Sequence, residues 1–169
     1  MVYRVDVKHV TNFLHEVDIF RGLAERQLDR IAGLCEEWSF RTGDYLGVQN
    51  ERGSRLYVIR YGEITVTTTT DEMDVVVRTV RERETLPVAV LFEPPLLVTT
   101  ARAATDGEAL VIPRVRLLEL CELDPKIGMH VYKSVCGILM NRYRYTLHRL
   151  SDMADLTISI NSLADGAEV

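Results

Sequence analysis

LYVIRYGEITVT, Leu56 to Thr67, is two runs of strand-forming residues on either side of one glycine. Leu56-Tyr57-Val58-Ile59 and Ile64-Thr65-Val66-Thr67 are rich in β-branched and aromatic side chains, which fit a pleated surface. Gly62 falls where a tight turn between the two runs would need it. Val75-Val76-Val77 continues the pattern. Gly, Asn and Asp turn signals recur from Trp38 to Ile112, an interval that holds about seven or eight short strands. Gly43 marks another such turn, and Asn50 is a common non-glycine residue at a left-handed corner.

On both sides of this interval the hydrophobic period becomes helical. Val10, Phe13, Leu14 and Val17 form one stripe, and Leu23, Leu28, Ile31, Leu34 and Cys35 form another, which predicts two short helices around an Arg21-Gly22 break. Asp124-Pro125 is a helix start, because proline lacks only an N–H that would be unpaired in the first turn. The pattern predicts a helix from Pro125 to near Leu156. The fold class is therefore α+β: a jelly-roll-like β-roll with short N-terminal helices and a long C-terminal helix, its strands closing on themselves because few helices are available to cover them. One domain is expected over residues 1–156, and TISINSLADGAEV, Thr157 to Val169, reads as a weakly ordered tail.

The most apolar stretch, TLPVAVLFEPPLLVTT from Thr85 to Thr100, has one charged residue, Glu93, and three of the chain's five prolines. A membrane helix needs about 20 uninterrupted apolar residues, and Glu93-Pro94-Pro95 interrupts this run. The first residues, MVYRVDVKHV, lack the apolar core of a secretory signal, so a cytoplasmic protein is expected. Cys35, Cys121 and Cys136 form no metal-site or disulfide spacing and read as reduced thiols. His9, His15, His130 and His148 fall on predicted helices with no nucleophile motif nearby, so neither metal, cofactor nor catalytic residue is expected. The run Arg81-Glu82-Arg83-Glu84 reads as solvent-facing charge on a strand, with Arg81 and Arg83 on one face. A net charge of −5 disfavours a general nucleic-acid or anionic-membrane binder.

Phe40-Arg41-Thr42-Gly43-Asp44-Tyr45-Leu46, Gln49-Asn50-Glu51 and Leu56 through Val66 together resemble the opening of the cyclic nucleotide-binding domain. Val17-Asp18-Ile19-Phe20-Arg21-Gly22-Leu23 is similar to that family's entry motif, and Leu110-Val111-Ile112-Pro113-Arg114 to the strand that leads into its last helices. The resemblance spans about Val10 to Leu150 and is similar to the sensor domains of CRP/FNR-type regulators. It implies a β-roll that cradles a cyclic nucleotide in a Phe-Gly-Glu-hydrophobic-Ala-Leu-Leu segment followed by Pro-Arg-x-Ala-Thr/Ser. There the Arg pairs with the phosphate and the Glu accepts from the ribose hydroxyl, since a buried phosphate needs a cation.

Aligned on Ala89-Val90-Leu91, Leu86 stands at the motif's Gly, Pro87 at its Glu, and Leu96 or Leu97 at its Arg. Losing two hydrogen bonds to charged groups costs about 3–6 kcal/mol. That is roughly a hundred- to ten-thousandfold in affinity. Arg102-Ala103-Ala104-Thr105 by itself mimics the arginine motif, but counting back from Leu110 puts Thr99-Thr100 at the motif's end and Arg102 in the next strand, pointing outward. The candidate pocket is Leu86, Pro87, Val88, Ala89, Leu96, Leu97, Val98, Thr99, Thr100 and Arg102. Three readings follow: a sensor for a more apolar small-molecule ligand, a protein-interaction scaffold whose pocket is filled, and a weak cyclic-nucleotide binder.

In the long helix, Tyr132, Cys136, Leu139, Tyr143, Thr146, Leu150 and Met153 recur at alternating four- and three-residue steps, the seam of a coiled coil. This predicts a homodimer, as the resemblance also implies for the corresponding helix. Val131, Val135 and Ile138 form an adjacent stripe suited to the β-roll. The Arg-Tyr cluster from Asn141 to Arg149 reads as the solvated flank of the seam and not as a nucleic-acid surface. Family transcription factors carry a winged helix-turn-helix after this helix, and residues 157–169 are too few for one. The sequence predicts a non-catalytic, cytoplasmic regulatory domain with a degenerate ligand site, partnered by its own copy, a small molecule or another protein.

Overall fold

The computed structural model describes residues 6–70 and 73–165. The chain comprises two units, one ending at Tyr132 and one beginning at Lys133. The first opens with α1 (Val7–Leu14) and α2 (Glu25–Ala32). Asp6 caps α1 by accepting from the backbone N–H of Lys8 and His9, as an N-cap carboxylate does. Val10 and Leu14 are buried on α1, and Leu28 and Ile31 on α2. Thr11 donates to Asp29 at 2.7 Å, which joins the two helices.

Eight strands follow: β1 (Glu36–Phe40), β2 (Tyr45–Gly47), β3 (Arg55–Tyr61), β4 (Ile64–Thr69), β5 (Asp74–Val80), β6 (Thr85–Leu86), β7 (Thr100–Ala103) and β8 (Gly107–Pro113). They pair antiparallel in two four-stranded sheets, ordered β1-β8-β3-β6 and β2-β7-β4-β5. The inward faces of both sheets share one core that includes Phe40, Ile59, Ile64, Val66, Leu86, Ala101, Ala103 and Val111. This is the α+β roll expected from the strand periodicity. The β3–β4 turn needs glycine for two reasons: Gly62 has φ +95°, and a Cβ there would lie 2.8 Å from the Asp106 carbonyl oxygen. Gly43 and Asn50 also adopt positive φ, as their positions predict.

Three local features differ from the sequence reading. Arg81 to Glu84 is a turn and not a strand, because the Glu84 carboxylate accepts from the Arg81 N–H at 2.7 Å and Arg83 adopts φ 68°. Its charges spread outward, Arg81 to Glu63 and Arg83 to Glu16. A further helix, α3 (Arg114–Leu123), follows β8 directly and buries Leu117, Leu120 and Cys121. The long helix α4 (Pro125–Asp165) starts at the predicted proline but continues past Leu156, where the sequence reading ends it. Residues 166–169 of the predicted tail lie outside the described residues.

The loop between α1 and α2 is tied to β6 through one carboxylate. Asp18 accepts from the Thr85 hydroxyl at 2.9 Å, from the Thr85 N–H at 3.2 Å and from the Ile19 N–H at 2.8 Å. Burial raises the Asp18 carboxyl above its ordinary value, and the Thr85 hydrogen bonds only partly oppose that. A carboxyl raised in the folded state binds more protons when folded. Its stabilising contribution is complete below the unfolded value and is lost as pH rises through the folded one. Denaturant titrations from about pH 3 to about pH 6 should therefore show the wild type losing stability relative to Asp18→Asn as pH rises. Parallel pH profiles would refute this.

Candidate functional site

The site is built on the segment that joins β6 to β7. After Leu86 the chain makes a 3₁₀ turn, Val88–Leu91, with Pro87 at its entry. Its N–H groups bond within the turn, Val90 to the Pro87 carbonyl and Phe92 to that of Ala89. Val88, Val90 and Leu91 are buried, so the turn presents its apolar side to the roll.

The rest of the segment is sewn to the corner loop between β2 and β3. Asn50 N–H donates to the Leu97 carbonyl at 2.8 Å, Leu97 N–H to that of Glu51 at 2.9 Å, and Gly53 N–H to that of Pro95 at 2.8 Å. Thr100 Oγ1 accepts from the Gln49 N–H at 3.0 Å. These bonds place the two positions available for the motif's arginine on opposite sides: Leu96 is 43% exposed and Leu97 only 4%. Leu97 enters a gap between two glycines. A Cβ on Gly47 would meet its Cδ1 at 2.6 Å, and a Cβ on Gly53 would meet its Cδ2 at 2.8 Å and Val90 Cγ1 at 2.6 Å. The absence of side chains at Gly47 and Gly53 is what gives Leu97 and Val90 their space.

A second set of contacts holds the segment from outside. Arg114, the first residue of α3, donates from Nε to the Val90 carbonyl at 2.7 Å and from a terminal nitrogen to that of Phe92. It also pairs with Glu93, whose other oxygen meets Arg52 at 3.2 Å. Tyr132 Oη donates to the Leu91 carbonyl at 3.1 Å, and its ring meets Phe92 edge-on with centroids 6.3 Å apart. Burial, with Cys121 and Glu122 nearby, pushes the Tyr132 phenol up, against the opposing effect of Arg114. The phenol therefore keeps its proton and serves as the donor.

The ten candidate residues do not converge on one cavity. Leu86, Val88 and Leu97 point inward, Pro87, Ala89 and Thr99 are half-buried, and Leu96 and Val98 are exposed. Arg102 lies on the outer face of β7 between buried Ala101 and Ala103. It donates to the Gly43 carbonyl at 3.0 Å and lies over the Tyr45 ring at 5.4 Å. Together with Thr100, Thr65 and Thr67 it borders a shallow outer depression of about 430 Å³. Of the predicted seam, Tyr132, Leu139, Tyr143, Leu150 and Met153 are exposed, as are Cys136 and Thr146.

Sequence reasoning missed Gly47, Gly53 and Arg114 as parts of the site. The glycines gave a signal, standing close on either side of Asn50. Arg114 gave none, since its contacts with Val90 and Phe92 come from residues more than twenty positions earlier. Among the described residues no group of His, Cys, Asp and Glu could hold a metal, and no helix is long and apolar enough to cross a membrane. The buried polar side chains among them are Thr11 and Thr85, so no buried cation faces the interior. His130 contacts the Arg21 carbonyl at 3.0 Å. Burial pushes the Cys35 thiol up to about 12, which keeps it protonated and inert.

Comparison with known proteins agrees with this architecture. A cyclic nucleotide-binding domain of *Methylobacillus flagellatus* superposes with a TM-score of 0.76 at 16% identity, covering 88% of this chain and 86% of that one. A putative cyclic nucleotide-binding protein of *Geobacter metallireducens* gives 0.69 at 22% identity, covering 83% and 99%. A cGMP-dependent protein kinase of *Drosophila melanogaster* is 39% identical over 57 residues, which are 34% of this chain and 6% of the kinase. The chain thus spans only a small part of the length of that curated relative. The family model of the cyclic nucleotide-binding domain matches residues 37–124, more than half of the chain, and the protein belongs to that family.

Proposed function

We propose that this chain is a non-catalytic regulatory domain that fills its nucleotide cradle with its own side chains, binds neither cAMP nor cGMP tightly, and works in the cytoplasm as a homodimer through α4. The observation that carries the reading is Leu97, which with Leu96 is one of the two positions where the resemblance implies a phosphate-pairing arginine, and which is wedged against Gly47 and Gly53. A phosphate placed there would be desolvated without a compensating cation, a penalty of several kcal/mol for a charged group. Pro87 stands where the ribose-binding glutamate would be and offers no carboxylate. The same packing favours the scaffold over a sensor of apolar ligands, because the apolar side chains spend their surface on each other.

The dimer rests on the seam. Isolated helices shorter than about 12–15 residues are marginal in water, and longer exposed ones are stabilised chiefly by burying an apolar face. From Leu139 to Met153 the helix is exposed apart from a half-buried Arg142, and Leu139, Tyr143 and Leu150 share one side of it. A second copy supplies the missing cover.

Thermal unfolding with and without millimolar cAMP and cGMP tests the ligand reading. Ligand at about a hundred times its dissociation constant would stabilise the native state by about 2.7 kcal/mol. No rise in melting temperature is expected, and a clear rise with either nucleotide would overturn the proposal. The packing itself can be measured through a double-mutant cycle. Leu97→Ala should cost about 2–5 kcal/mol, as for other buried leucines. Gly53→Ala should cost about 1–3 kcal/mol in the wild type, through overpacking against Leu97 and Val90. Its cost should be smaller in the Leu97→Ala background. Additive costs would mean that Leu97 does not occupy the gap.

A further inference from the structure

The sheet β2-β7-β4-β5 turns a polar outer face away from the core. In its β4–β7 ladder Arg102 stands directly opposite Thr65, and Thr100 opposite Thr67. The Cβ atoms of such cross-strand pairs are about 5 Å apart, and successive pairs on one face lie about 7 Å apart along the strands. The four side chains therefore mark the corners of a small rectangle. They border the outer depression of about 430 Å³, a volume within the range of small-molecule sites.

The hydrogen-bonding groups of this rectangle are one-sided. Arg102 Nε donates to the Gly43 carbonyl and the guanidinium lies over the Tyr45 ring, which together orient the fork. Among the described residues its terminal nitrogens have no acceptor and no carboxylate pairs with it. Thr100 Oγ1 accepts from the Gln49 N–H, which leaves its own proton to donate. The Thr65 and Thr67 hydroxyls have no protein partner among the described residues, although both residues are half-buried. A guanidinium presents its N–H groups in a planar fork that matches phosphate and carboxylate, and the hydroxyls add further donors beside it. A surplus of donors around one positive charge calls for an oxyanion.

Asp74 gives the depression the opposite polarity at one end. It stands opposite Thr69 on β5, about 8 Å from Thr67 in the lattice of the sheet, and also borders the depression. One of its oxygens accepts from the Thr69 hydroxyl at 2.7 Å, and the other has no partner among the described residues. A carboxylate there repels an anionic group and accepts from hydroxyls. Apart from Tyr45, which lends a ring face to Arg102, the rest of the border is threonine, glycine and alanine, with no large apolar side chain to receive a nucleobase.

We infer that this outer depression binds a phosphate monoester of a small polyol, a sugar phosphate in chemical class. The phosphate is held by Arg102, Thr65, Thr67 and Thr100, and the sugar hydroxyls extend toward Asp74. These residues lie on the outer face of the sheet while Leu97 points inward, so the inference goes beyond the filled cradle and does not depend on it.

The test is a titration of the full chain with glucose 6-phosphate and, separately, with inorganic phosphate, followed by ¹H–¹⁵N NMR. Glucose 6-phosphate should give saturable shifts at Thr65, Thr67, Thr100 and Arg102, and should bind more tightly than inorganic phosphate. Arg102→Gln should weaken binding about ten- to a hundredfold, as for loss of a charged hydrogen bond, and Thr65→Val/Thr67→Val about three- to tenfold. Asp74→Asn should weaken glucose 6-phosphate and not inorganic phosphate. Unchanged amide shifts elsewhere control for folding, because all of these side chains lie on the outer face. The absence of saturable shifts, or shifts that persist in Arg102→Gln, would overturn the inference. Equal affinity for the two probes would overturn the assignment to a sugar phosphate. Shifts centred on Val90 and Leu97 would overturn both this inference and the filled cradle.

Discussion

One close contact organises the site: the Leu97 side chain in the gap left by Gly47 and Gly53. It requires glycine on two sides, because any Cβ at either position would enter the space of the leucine methyls. It also requires the segment after the 3₁₀ turn to run alongside the corner loop, and the backbone bonds from Asn50, Leu97 and Gly53 hold it there. A leucine in this gap contributes dispersion and burial without the desolvation penalty of a charge. An arginine would need an anion to accompany it.

The segment is thus supported from both faces. Inside are Val88, Val90 and Leu97; outside are Arg114 and Tyr132, which satisfy the carbonyls of Val90, Leu91 and Phe92. Buried carbonyls without partners are costly, so these donors are part of what keeps the turn in place. Arg114 opens α3 and Tyr132 lies on α4, and both helix starts are therefore coupled to the conformation of the segment.

Parts of this were legible in the chain and parts were not. The β3–β4 hairpin could be read because period-two apolar runs and a left-handed glycine are local signals. The start of α4 could be read for the same reason, from Asp124-Pro125. The charge run from Arg81 to Glu84 was misread, because alternation of charge suits a strand while the Glu84 side chain bonds the Arg81 N–H and closes a turn. Helix α3 was passed over: its apolar residues are interleaved with charge, and its boundary with β8 is only Pro113-Arg114.

The sequence by itself determined the kind and order of most elements and the family resemblance, because each is a matter of local residue type and spacing. Only the tertiary structure decided which leucine turns inward, that Arg102 stays on the outer face, and that two glycines and a distant arginine complete the site. Those outcomes depend on which backbone groups from separate parts of the chain pair with each other, and no local pattern encodes that pairing.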